Sequence, residues 1–405
     1  MNRSYIHWPC LPLSEAFWFQ EGPGVRKWQF TDSGIKLLNV GNIEKEGTLN
    51  LAKTDRHLSE EEVAKKYSHF LVDVGDLVIA SSGISFDDDG LLRTRGAFVE
   101  KHQLPLCLNT STIRFKAIEG VSDLCFLRFW LNGHEFRSQI TKLVTGTAQQ
   151  NFGPSHLKAI KITLPPLEEQ RRIAEILDRA EELRAKRREA IAQLDTLTQA
   201  IFIEMFGDPV RNPKLHPVVR LGSLTKISSG STPSRKQPEN FDGNIPWVKT
   251  TEVNGYLITD TEEKITKSAL QNSSCHVYPV GSILIALYGQ GKTRGQCAVL
   301  GIEAATNQAC GVLLPNPSYI TNFLFAQLSM SYSRLRAMAR GGNQENLNLG
   351  LIADFTVLLP CLPLQQEFAH RVEAVEKIKA AHCASLSELN ALFASLQNRA
   401  FKGEL

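Results

Sequence analysis

Several chemistries are missing from this chain. Its eight cysteines stand at 10, 107, 125, 275, 297, 310, 361 and 383. None forms a CxxC pair, so neither a zinc site nor a disulfide framework is indicated. Scattered thiols of this kind suit a reducing compartment, the cytoplasm. No apolar run approaches the ~20 residues needed to span a bilayer. The opening residues MNRSYIHWPC carry charge and proline where a signal peptide would have an apolar core. The ten histidines give neither HExxH nor a close pair. There is no Asn-Pro-Pro-aromatic motif for amino-methylation and no Gly-rich loop suited to S-adenosylmethionine. Gly289-Gln-Gly-Lys-Thr293 imitates a phosphate loop, but a Walker A motif needs glycine where Ala286 stands. The following RGQCAVLG reads as a strand, not as a helix whose N-terminus would hold phosphate. Asp87-Asp-Asp89 reads as a charged loop tip rather than a metal site. The formal net charge is only +3, so nucleic-acid binding would have to use local basic patches.

What is present is ordinary globular composition, 42% hydrophobic over 405 residues, a length that predicts two or three domains. Two long helical patterns dominate it. From Leu167 to Phe206 there is no proline or glycine, and most residues are strong helix formers. Pro165 and Pro166 precede the stretch, and Gly207, Asp208 and Pro209 stop it. Two apolar series recur on a heptad frame: Ile173, Ala180, Arg187, Leu194 and Ile201, then Ile176, Leu183, Ala190, Leu197 and Glu204. Arg187 and Glu204 interrupt the seam. Glu168 with Arg172, and Glu182 with Lys186, are spaced for ion pairs on a solvated face. A rod of this length, about 60 Å, needs a partner helix. The last segment supplies one, with Phe368, Val375, His382, Leu389 and Leu396 on one heptad position and Val372, Lys379, Leu386, Phe393 and Ala400 beside it.

The segments ahead of the two helices repeat one another. Residues 35–43 answer 245–253, and 74–80 answer 280–286. Asn109 in LCLNTST answers Asn307 in AATNQAC, both reading as turn caps. Gln149, Asn151, Leu157, Ile160, Ile162, Leu164 and Pro165 answer Gln344, Asn346, Ile352, Phe355, Val357, Leu359 and Pro360 at one constant offset. Within the first copy, 35–40, 76–80 and 112–115 read as strands between turn residues. Residues 58–67 read as a helix with a capping box from Ser59 and Glu62, and 122–143 as one helix or two. The plan is domain, helix, domain, helix.

Carried by SSGSTPSRKQPENFDGNIPWVKTTEVNGYLI (228–258), VGSILIALYGQGKTRGQCAVL (280–300), AATNQA (304–309) and the two LP-to-Gln openings at 164–170 and 362–367, the chain resembles the specificity (S) subunits of Type I restriction-modification enzymes. The resemblance spans essentially the whole chain. It is looser over residues 1–120, where the Gly-Ser-Thr-Pro turn is missing. It implies an α+β fold: two pseudo-two-fold-related α/β target recognition domains, 1–164 and 208–361, joined by two long helices, 165–207 and 362–405, packed as an antiparallel coiled coil. It also implies a non-catalytic role. Each domain would read half of a bipartite site in double-stranded DNA, while the helices set the spacing, at most about 17 base pairs for a 60 Å rod. They would also dock two modification (M) subunits, with restriction/translocase (R) subunits joining, and no membrane involved. No cofactor is expected on this chain; S-adenosylmethionine, ATP and Mg are implied for the partners. Adenine would be flipped into a partner's pocket, because chemistry on a stacked base is sterically blocked.

Base reading needs Arg forks for guanine and Asn or Gln amides for adenine, while Lys, Arg, Ser and Thr anchor phosphates. By that chemistry the candidate DNA contacts are Arg93, Arg95, Gln149, Gln150 and Asn151 in the first domain. In the second they are Ser231, Arg235, Lys236, Lys249, Thr250, Tyr288, Gln290, Lys292, Thr293, Arg294, Arg340, Asn343 and Gln344. Each loop also reads as plain solvated surface. Two alternatives stand beside the recognition reading: a nuclease or methyltransferase acting alone, and a protein scaffold with no DNA role.

Overall fold

The computed structural model describes residues 8–45, 47–83, 85–86, 90–144, 151–255, 257–289, 291–341 and 345–405. It divides into two compact units, Met1–Lys186 with Leu386–Leu405, and Arg187–Ser385. The division runs through both long helices, because each half-helix packs on the globular part of its own unit.

The first unit contains β1 (Cys10–Pro12), β2 (Phe17–Glu21), β3 (Ile35–Leu38), β4 (His57–Leu58), β5 (Leu77–Ala80), β6 (Gly96–Phe98), β7 (Leu106–Leu108), β8 (Thr112–Ala117) and β9 (Lys161–Thr163). They form a four-stranded sheet in the order β2-β8-β5-β6, a three-stranded sheet β4-β3-β7 and the antiparallel pair β1-β9. Strand β5 shows why its sequence is apolar at every position. Leu77 and Ile79 face a core built with Phe126, Trp130 and Phe136 from the helices Leu124–Leu131 and His134–Leu143. Val78 and Ala80 face the other way, onto Leu38, Leu106 and Leu108 of the three-stranded sheet. A strand covered on both faces loses the polar alternation of a half-exposed one.

The second unit repeats this plan with β10 (Val218–Arg220), β11 (Ile227–Ser229), β12 (Ile245–Val248), β13 (Leu257–Ile258), β14 (Glu263–Ile265), β15 (Ile283–Ala286), β16 (Cys297–Leu300), β17 (Ala305–Thr306), β18 (Cys310–Leu313) and β19 (Thr356–Leu358). The orders are β11-β18-β15-β16-β13, β14-β12-β17 and β10-β19. Here β15 plays the part of β5, with Ile283 and Ile285 on one core and Leu284 and Ala286 on the other.

The long helices expected over 165–207 and 362–405 run over Leu167–Phe206 and Leu362–Phe401. They pack antiparallel. Arg184 Nε donates to Asn390 Oδ1 at 2.7 Å in the first unit. In the second, Asp195 pairs with Lys379 at 2.5 Å and Glu204 with Arg371 at 3.7 Å. Both heptad series read on the C-terminal helix lie in the seam, and so does the series from Ile173. Of the other series on the central helix, Ile176 and Ala190 are half-buried, while Leu183, Leu197 and Glu204 are exposed and the residue after each is covered instead. Leu183 is 55% and Leu197 42% exposed, and the covered positions are Leu177, Arg184, Ile191, Thr198 and Met205. Arg187, which interrupts the seam, meets His382 there, Nη1 to Nδ1 at 3.1 Å. Lys186 pairs with Glu182 at 2.6 Å as spaced, but Arg172 takes Glu169 at 2.6 Å rather than Glu168.

The helix expected over 58–67 is a correction. His57–Leu58 is a strand, Glu60–Glu62 is a single α turn and Val63–Tyr67 is wound as π-helix. Ser59 caps Glu62 N at 3.2 Å, yet the Glu62 carboxylate turns to Gln29 Nε2 at 2.8 Å instead of closing the box. Residues 122–143 form two helices.

Candidate nucleic-acid interface

In each unit the strand registers bring the same set of connections to one end of the sheets. In the first unit Glu21 pairs with Ile113, Ala80 with Thr112 and Ile79 with Gly96. The connections 22–28, 81–95 and 109–111 therefore open side by side. Val40 N donates to Ser111 Oγ at 3.1 Å, which adds the turn after β3, and Phe152 N donates to Ser81 O at 2.9 Å, which adds Asn151. In the second unit Ser229 pairs with Gly311, Ala286 with Cys310 and Ile285 with Cys297. Connections 230–237, 287–296 and 307–309 open together, and Leu347 N donates to Leu287 O at 2.9 Å. Every described candidate lies on or beside these connections.

Asn109 and Asn307 are turn formers, as read. Asn109 Oδ1 accepts from Ser111 N at 3.0 Å, and Asn307 Oδ1 from Ala309 N at 3.1 Å. The turn that seemed absent from the first unit is present in another spelling. A Cβ on Gly22 would strike the Asn109 backbone, and one on Gly230 the Thr306 carbonyl. Gly22-Pro-Gly-Val thus makes the close approach that Gly230-Ser-Thr-Pro makes in the second unit.

Arg93 and Arg95 follow the antiparallel Phe86–Leu92 bridge. They line a cleft of about 390 Å³ with Lys45, Ser85, Thr94, Asn132 and Arg137. Four cations line it and no carboxylate does, among the described residues. Its walls are fixed. Thr94 Oγ1 donates to Leu131 O and Asn132 Oδ1, each at 2.8 Å, and Arg137 Nε donates to Leu92 O at 2.7 Å. The nearby acid Glu44 is bound to Lys53 at 2.7 Å, a contact that holds its carboxyl below the usual range. Lys45, Asn132 and Arg137 carried no signal in the sequence, since two segments distant from Arg93 supply them.

In the second unit the candidates differ in freedom. Lys236 is exposed. Arg235 stacks on Phe241 at 4.1 Å and pairs with Glu263 at 2.8 Å. Lys249 bonds Glu262 and lies 3.4 Å from Glu263, and the Glu262 contact raises its ammonium above the ordinary lysine value. Burial would push the Glu263 carboxyl up, but Arg235 and Lys249 together hold it down. Thr250 is buried and donates to Asn307 Oδ1 at 2.9 Å, so it shapes the turn from inside. Tyr288, Lys292 and Thr293 sit on the β15–β16 hairpin, whose strand arms agree with the hairpin reading of GQGKT. Two residues not singled out in the sequence brace it. Tyr332 Oη donates to Lys292 O at 2.7 Å and Arg336 Nη1 to Arg294 O at 3.0 Å. Arg294 itself is only 14% exposed and its guanidinium is held by Glu345. Arg340 pairs with Asn346 in a short bridge and is exposed. Gln149, Gln150, Gln290, Asn343 and Gln344, and the Asp87-Asp-Asp89 tip, lie outside the described residues.

Two further motif residues acquire a role. Gln170 of the central helix and Gln365 of the C-terminal helix are both fully buried. Gln170 Nε2 donates to Pro165 O at 2.8 Å and Val121 O at 2.9 Å, while Oε1 accepts from Asp123 N at 2.9 Å. Gln365 Nε2 donates to Pro360 O at 2.8 Å and Oε1 accepts from Ile320 N at 2.9 Å. Each glutamine pins a helix start to its own globular part.

The family model for the Type I restriction modification DNA specificity domain matches twice, over residues 33–193 and 213–391. The chain belongs to this family. The two matches of the specificity domain fall on the two copies of the repeat. Among relatives of this chain, the EcoR124I/EcoR124II specificity subunit of Escherichia coli is 24% identical over 39% of each chain. The MjaIX specificity subunit of Methanocaldococcus jannaschii is 28% identical over 28% of this chain and 26% of its own. The EcoKI specificity subunit of E. coli K12 is 24% identical over 98% of this chain and 89% of its own. In the first two the chain spans less than half of the relative's length. A crystal structure of a Type-I restriction-modification S subunit from M. genitalium shares the fold at a TM-score of 0.58, with 16% identity, 99% of this chain and 97% of that one covered. A chain solved in work on assembly and conformational transition of the type I R-M system also scores 0.58, at 18% identity, with 99% of each chain covered. Among the described residues no helix is long and apolar enough to cross a membrane.

Proposed function

We propose that this chain is the non-catalytic DNA-reading subunit of a cytoplasmic Type I restriction-modification complex, each unit reading one half of a bipartite site. The observation that supports this most is the repeated sheet end. In both units it gathers glycine turns, amides and cations from connections far apart in sequence. Fork donors and amides suit base edges, and the four-cation cleft of the first unit suits a phosphate or a guanine edge. The loops of the second unit carry different side chains in the same frame, which suits a different half-site.

The long helices would set the spacing and dock the modification subunits. Large apolar side chains stand exposed on them, Leu183 and Leu392 in the first unit and Leu197, Ile203 and Ile378 in the second. S-adenosylmethionine, ATP and Mg would be bound by the modification and restriction partners, and the target adenine would be flipped into a partner's pocket. Reconstitution with modification subunits tests this. The complex should shift duplex DNA in a sequence-dependent, salt-sensitive manner, while the purified chain alone turns over no DNA with methyl donor or divalent metal. Turnover by the chain alone, or no DNA binding by the complex, would overturn the proposal.

A further inference from the structure

Trp28 is 78% exposed, the most exposed aromatic side chain among the described residues. A single exposed ring is ordinary on a protein surface; what sets this one apart is that it is held outward beside two cations. The exposure is built in. Trp28 sits in the 3-10 turn Lys27–Gln29, whose last residue is buried. Gln29 Nε2 donates to Glu62 Oε1 at 2.8 Å and Tyr67 Oη at 2.9 Å, and Gln29 Oε1 accepts from Arg26 N at 2.8 Å. These bonds fix the turn with the indole outward. Arg26 and Lys27, also exposed, flank it, and exposed Arg56 lies over Phe30 at 5.3 Å.

Its place in the chain gives a second observation, because Trp28 belongs to the connection 22–28 that opens at the shared sheet end. Gly24 lies against Thr110 at the shared sheet end. Four residues further, Trp28 is within about 14 Å of it along the chain, well inside the footprint of a DNA-binding module.

We propose that Trp28 is a base-contacting residue of the first unit, its indole lying against nucleobases in a groove of the half-site while Arg26 and Lys27 hold the adjoining phosphates. Apolar and aromatic side chains set between cations are used in this way to stack on or wedge against base steps. The proposal rests on the reading of this unit as a DNA-binding unit.

The test uses the full chain assembled with its modification subunits, with binding to cognate duplex measured over a range of salt. Trp28→Ala should weaken binding about 10- to 100-fold with an unchanged slope of log K against log salt, since no cation is removed. Trp28→Phe should recover most of the loss. Lys27→Ala should instead lower the slope by about 0.9. On DNA with the first unit's half-site scrambled, Trp28→Ala and wild type should bind alike. Wild-type affinity of Trp28→Ala for cognate DNA would overturn the proposal. So would failure of Trp28→Ala to assemble with the modification subunits at unchanged thermal stability, which would make Trp28 a protein contact. Failure of the wild-type complex to prefer any sequence would strike the underlying reading instead.

Discussion

Arg294 is a fork donor by type, but in the folded chain its guanidinium holds the Glu345 carboxylate and main-chain oxygen. It links the β15–β16 hairpin to the segment that ends at Leu347. Arg294→Ala and Glu345→Ala should therefore relax the same half-site, seen as a degenerate half in the methylated motif while the other half stays intact. A uniform fall in affinity for Arg294→Ala, with Glu345→Ala silent, would make Arg294 a phosphate contact. The Glu263 cluster gives a pH prediction. Its carboxyl titrates lower in the folded chain than in the unfolded one, because Arg235 and Lys249 outweigh burial. The cluster's contribution is thus complete above the unfolded value near 4.5 and is lost as pH falls through the folded value. Wild type should lose thermal stability more steeply than Glu263→Gln below that point, and equal slopes would contradict the assignment. At this scale the sequence was read with mixed success. Residue types suited to DNA were visible in Arg93, Lys236 and Tyr288. Their surroundings were not, because Lys45, Asn132 and Arg137 reach the cleft only through tertiary folding, and nothing local marks Thr250 as buried or Arg235 as stacked.

The two long helices were legible as elements, although the C-terminal one, read over 362–405, ends at Phe401 and starts one residue before Pro363. One heptad series was not. Leu183 and Leu197 are apolar and correctly spaced, but leucine spacing alone does not distinguish a seam from an apolar strip one position away that faces outward. The energetic test is direct. Leu177→Ala should cost about 2–5 kcal/mol, whereas Leu183→Ala should change stability by no more than about 0.5 kcal/mol and weaken docking of a modification subunit. Comparable unfolding losses would contradict the seam. The glutamines of the two motif openings are a second element-scale case. Gln170→Ala removes three hydrogen bonds and leaves the buried Pro165 carbonyl and two partly buried backbone groups unpaired, so about 2–4 kcal/mol is expected. For a unit of this size that lowers the midpoint by roughly 4–16 °C. Gln365→Ala should behave similarly, and an unchanged melting profile for both would remove the pinning role. The short π-wound segment 63–67 shows the opposite limit. Ser59 and Glu62 carry a helix-start signal, but Gln29 competes for the Glu62 carboxylate, a contact between segments far apart in sequence.

At the scale of the whole chain the repeat was the most readable feature, because two weak copies in one order reinforce each other. Family membership, the paired sheets and the shared helices follow its lines. The remaining claim is that the helices determine the gap between two half-sites. Both helices pass the division between units, at Lys186/Arg187 and Ser385/Leu386. Inserting four residues there would shift the seam, whereas seven preserve it. The most direct measurement is the methylated motif in genomic DNA of cells carrying the chain with seven helical residues inserted at both places. About 10 Å of added helix should widen the gap by roughly three base pairs and leave both half-sites unaltered. An unchanged gap, or altered half-sites with the gap preserved, would contradict the account.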